Sequence, residues 1–116
     1  MFYATICFGL AALGGITMAA MMLSGKARPP MILALGHGVL VISGFVFLLR
    51  ARSVASLPQL GEYALYALIA AALGGLAMFI LFHLRNKPLP TLLVLGHGAI
   101  ALTGLGMLIT AYNRLL

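Results

Sequence analysis

Leu35-Gly36-His37-Gly38 returns sixty residues later as Leu95-Gly96-His97-Gly98. Working outward in the same register, Gly44 returns as Gly104, Pro30 as Pro90, Met18 as Met78, and Ala12–Gly15 (ALGG) as Ala72–Gly75. A gap-free alignment of Tyr3–Arg52 on Tyr63–Tyr112 holds 17 identities in 50 positions. Apolar composition produces chance matches among Ala, Leu and Gly, but not a histidine between two glycines in one register. The chain reads as a tandem duplication of a two-helix hairpin. The units are residues 1–52 and 63–116, with 53–62 as linker.

Composition fixes the solvent. Of 116 residues, 64% are hydrophobic, 7 are basic and 1 is acidic, whereas a soluble domain carries roughly a quarter charged residues. The mean hydropathy is +1.19. A helical span needs about 20 apolar residues, and four runs qualify: Tyr3–Leu23, Pro30–Leu49, Tyr63–Leu84 and Pro90–Tyr112. They predict helices over 3–24, 30–49, 63–84 and 90–112, an all-α four-transmembrane-helix bundle in a multi-pass cell (inner) membrane. Each unit holds an even number of spans, so the two insert with one orientation. They are then parallel repeats about a pseudo-twofold axis along the membrane normal. The first span has a small-residue stretch near Ala19 and Ala20 but no basic start, and its counterpart from Tyr63 is internal. It reads as a retained helix, not a cleaved signal.

Prolines 29, 30, 88 and 90 cluster where the second and fourth helices begin, a position that tolerates proline. Tyr3, Tyr63, Tyr66 and Tyr112 fall at the face holding both termini and the middle loop, as an interfacial aromatic belt. The short-loop face carries Lys26, Arg28, Arg85 and Lys87; the other carries Arg50, Arg52 and Arg114. That asymmetry favours a cytoplasmic short-loop face and termini outside. The net charge of +6 lies in loops and ends, so it reads as topology and lipid-headgroup contact and not as nucleic-acid binding. Cys7 has no partner for a disulfide.

His37 lies nine residues past Arg28, about 13 Å of helix, close to the middle of a bilayer. An ionisable residue at that depth is expected to face the bundle interior with a partner, and the twofold supplies His97, either within one chain or between chains of a homo-oligomer. Gly36 and Gly38 bracket His37, Gly96 and Gly98 bracket His97, and Gly44 and Gly104 lie two turns further on. Stripping side chains from around a histidine leaves a smooth recess suited to a wide, flat ligand. That ligand is expected to be a b-type haem, its iron held by one imidazole from each helix, with Lys26, Arg28, Arg85 and Lys87 pairing with the propionates. Met18 and Met78 fall at nearly the same depth, and thioethers with imidazoles suit Cu(I). Gly15 and Gly75, each four residues past an alanine, read first as small residues for close helix packing. His83 has no counterpart and reads as an interfacial residue beside the second short loop.

The absences matter as well. Glu62 is the sole acidic residue and sits near an interface, so a proton-coupled antiporter with a membrane-embedded carboxylate is excluded. No nucleophile has an acidic orienting partner. The arrangement resembles the general design of bis-histidine membrane cytochromes. That resemblance implies electron transfer, as a small cytochrome or a haem-bearing anchor subunit exchanging electrons with quinone or with a larger respiratory or redox complex. Two other classes fit the residues: a cofactor-free accessory subunit of a membrane complex, and a copper or small-solute transporter using the paired histidines.

Overall fold

The computed structural model describes all residues from Met1 to Leu116. The chain is all-helical, with four helices long and apolar enough to cross a membrane: α1 (Phe2–Leu23), α2 (Met31–Val54), α3 (Gln59–His83) and α4 (Thr91–Asn113). The molecule is 42 Å long and 19 by 18 Å across, against a hydrocarbon core of about 30 Å.

Local chemistry explains where each helix starts and stops. Pro30, Pro58 and Pro90 hold φ near −60° with extended ψ immediately before α2, α3 and α4, and no N–H is wasted there. After α1, Gly25 takes φ +116°, and the amides of Gly25 and Lys26 bond back to Met22 O and Met21 O. This pair of bonds around a left-handed residue closes the free carbonyls of the last turn. After α3 the same closure recurs around Asn86, at φ 56°, whose amide and that of Lys87 bond to His83 O and Phe82 O.

Packing is uneven along the bundle. α1 lies on α2 and α3 on α4, and the hairpins join chiefly through α1 against α4. The buried cluster of Ala4, Phe8, Leu48, Leu57, Ala64, Leu65, Leu68 and Leu108 occupies the end that holds the termini and the α2–α3 corner. From Ala12 to Ser43, and again from Leu84 to Thr103, no residue is buried. The exterior is apolar, with Ile32 77% and Leu92 81% exposed, which suits contact with lipid.

Two boundaries differ from the sequence expectation. α2 continues through Arg50 and Arg52 to Val54, and α3 starts at Gln59, so the expected linker 53–62 shrinks to residues 55–58. Apolar runs mark what crosses hydrocarbon; a helix extends past them wherever the next residues favour it, as arginine and alanine do. The corner is held by Arg52 Nε donating to Glu62 Oε1 at 2.8 Å. The last turn of α3, Phe79–His83, is a π turn, which nothing in the hydropathy pattern signals.

Candidate functional site

His37 on α2 and His97 on α4 approach within a single chain, their ring centres 6.3 Å apart and their planes at 72°. Each ring is seated on the other helix of its own hairpin. His37 Nδ1 lies 2.8 Å from Ala11 O, and His97 Nδ1 lies 2.8 Å from Ala71 O. A carbonyl only accepts, so both Nδ1 atoms carry the proton and donate. Neither Nε2 has a hydrogen-bond partner, and neither is sealed from its surroundings.

The seats are built by glycine. A methyl group placed on Gly15 would lie 3.3 Å from His37 Cε1, and one on Gly75 would lie 2.9 Å from His97 Cε1. From sequence these glycines are close-packing positions between helices or the far edge of a ligand cavity; what they pack against is the imidazole. The carbonyl one turn earlier, at Ala11 or Ala71, is the acceptor. No residue type encodes a carbonyl, but the pairing of ALGG with LGHG within each hairpin is the signal that links seat and ring.

The glycines around the histidines divide into three kinds. Gly36 and Gly96 are exposed on the outer side of their helices, away from the facing rings. Gly38 and Gly98 are half-buried with nothing within 4 Å of an added Cβ, so space beside the rings is open there. Gly44 and Gly104, expected to extend the recess, take the Phe8 ring and the Leu68 side chain instead, each 2.9 Å from an added Cβ. Two turns from the histidines the helices have already converged on the packed end, and side chains fill the gap.

Of the four short-loop cations, Lys26, Arg85 and Lys87 are exposed, and Arg28 Nη1 donates to Asn86 Oδ1. Ser43 and Thr103 bond back to Val39 O and Ala99 O of their own helices, as hydroxyls within a helix do. No three His, Cys, Asp or Glu side chains are gathered in one place, so the facing imidazoles are the strongest ligand set in the chain. Two bare nitrogens, each on a ring oriented through its other nitrogen, form the arrangement that metal-binding histidines use.

Comparison with known protein families, curated proteins and solved structures finds no match to this chain.

Proposed function

We propose that the chain is a membrane electron-transfer protein holding one b-type haem through His37 and His97, as a small cytochrome or as the haem-bearing anchor subunit of a membrane oxidoreductase. One observation carries the reading: two rings 6.3 Å apart, both Nδ1 protons committed to carbonyls and both Nε2 atoms free. Haem, when bound, supplies one-electron chemistry. The chain's own residues do the rest. Ala11 and Ala71 fix the tautomer and orientation of the rings that would hold the iron. Gly15 and Gly75 admit the rings, and Gly38 and Gly98 leave open space beside them. The chain's partner is a quinone or a neighbouring redox subunit.

The same reading includes a duplicated hairpin with a pseudo-twofold along the membrane normal. It is supported by the sequence repeat and by the equal Nδ1–carbonyl distances of 2.8 Å in the two hairpins. It places the chain in a cell (inner) membrane with the short loops cytoplasmic and the termini outside, following the distribution of Lys and Arg.

An absorption spectrum of the purified protein tests the cofactor. We expect a Soret band that is lost in both His37→Leu and His97→Leu while helical circular dichroism is retained. A protein that stays colourless after haemin is added, or a band that survives both substitutions, sinks the proposal. The first result would favour the cofactor-free accessory subunit, in which the same imidazole–carbonyl bonds serve only to clamp α1 to α2 and α3 to α4.

A further inference from the structure

The second feature with unassigned chemistry lies at the short-loop end. A cleft of about 480 Å³ is lined by Lys26, Arg28, Pro30, Met31, His83 and Asn86, among others. His83 is only 5% exposed. Its Nε2 lies 2.8 Å from Pro29 O and therefore donates to it, while its Nδ1 is buried with no hydrogen-bond partner. Such an orphan is costly in a folded protein. Its position is set by the π turn Phe79–His83, an irregularity that recurs at functional sites.

The charges that line the cleft favour an anion. Lys26 and Arg28 are cations with no carboxylate near them, because the chain's one acid, Glu62, pairs with Arg52 at the opposite end. The cleft also abuts the start of α2 at Met31, where no side chain caps the helix. The free first-turn amides and the positive end of the helix dipole both attract negative charge. The edges are apolar: Met31 and Leu84 are exposed beside it, as acyl chains require.

We propose that this cleft binds a phosphate group, delivered as the headgroup of an anionic phospholipid. Arg28 and Lys26 hold the phosphate oxygens, the first amides of α2 face them, and the His83 ring lines the same cleft. The acyl chains run down the exposed faces of α2 and the end of α3. The proposal uses neither member of the histidine pair, but it gives Lys26 and Arg28 to a lipid phosphate in place of the haem propionates.

The test uses the whole chain in neutral detergent, with phosphatidylglycerol, phosphatidylcholine or inorganic phosphate added, read by native mass spectrometry and thermal unfolding. Wild type is expected to retain phosphatidylglycerol and to unfold at a higher temperature with it, and to do neither with phosphatidylcholine. Each of Lys26→Gln and Arg28→Gln is expected to lower phosphatidylglycerol affinity about fivefold, and the pair more, while Arg114→Gln at the other end leaves it unchanged. Arg28→Lys, which keeps the charge, retains most of the binding and guards against loss through misfolding. His37→Leu with His97→Leu leaves lipid binding intact, separating this outcome from the cofactor question. Equal retention of phosphatidylcholine, equal stabilisation by inorganic phosphate, or an equal loss in Arg114→Gln overturns the assignment.

Discussion

A methyl group added at Gly75 would lie 2.9 Å from His97 Cε1, whereas one at Gly15 would lie 3.3 Å from His37 Cε1. The first spacing forces the ring off its seat; the second asks for a few tenths of an ångström. Alanine in a helix interior recovers up to about 1 kcal/mol over glycine, against about 1–3 kcal/mol for overpacking. Gly75→Ala is therefore expected to be net destabilising by about 1–2 kcal/mol, and Gly15→Ala close to neutral. Gly14→Ala and Gly74→Ala, whose added Cβ atoms would meet nothing within 4 Å, are expected to be neutral or stabilising. Unfolding midpoints in detergent distinguish them, and a Gly75→Ala protein as stable as Gly74→Ala would refute the seat. At this scale the histidines themselves were legible, because a side chain that titrates stands out in an apolar run. Their hydrogen-bond partners were not, since every residue brings the same carbonyl. The burial of His83 was not legible, because hydropathy reports nearness to a loop and says nothing of Pro29 O, 54 positions away.

The π turn of α3 explains a displacement between the two hairpins. Met18 and Met78 stand sixty apart, as do Pro30 and Pro90, yet the left-handed residues that close α1 and α3 are Gly25 and Asn86, sixty-one apart. A π turn holds one residue more than the α-helix it interrupts, so α3 gains a residue and the loop that follows loses one. Deleting Ile80, which is 46% exposed, is expected to convert the turn to α-helix while Ala71, Gly75 and His83 keep their facing. Deleting Ile69, also on the exposed side, rotates everything beyond it by about 100°. Leu68 at the packed end and Ala71 under His97 then cannot both stay in place, at about the 2–5 kcal/mol of a lost core leucine. Unfolding midpoints well below wild type for the Ile69 deletion, and near it for the Ile80 deletion, are the expected result; equal losses would refute the one-residue account. The four elements were plain in the sequence because each is a long apolar run bounded by Pro, Gly or charge. Their ends were less so: Arg50 and Arg52 prolong α2 past the apolar stretch, and Arg52 then turns to Glu62.

For the molecule as a whole, the cations from which orientation is inferred are divided almost evenly, and the structure sorts them to its two ends. Lys26, Arg28, Arg85 and Lys87 lie on or next to the short loops, while Arg50, Arg52 and Arg114 lie at the end of the packed core. Glu62 pairs with Arg52, but acids count little in the rule that keeps Lys and Arg on the cytoplasmic side, so the margin stays at one charge. In a Cys7→Ala background, Ser24→Cys reports the short-loop end and Ser56→Cys the α2–α3 corner, both at exposed positions. A membrane-impermeant maleimide applied to intact cells is expected to label Ser56→Cys and to leave Ser24→Cys unmodified until the membrane is opened. Because the margin is so small, Lys26→Gln with Lys87→Gln reverses the balance to two against three. Part of the population is then expected to invert, so that Ser24→Cys becomes reactive from outside. Labelling of Ser24→Cys in the otherwise unchanged chain would reverse the assignment and place the phosphate cleft at the outer surface. Labelling of both cysteines in every background would mean that charge does not set the orientation of this bundle at all.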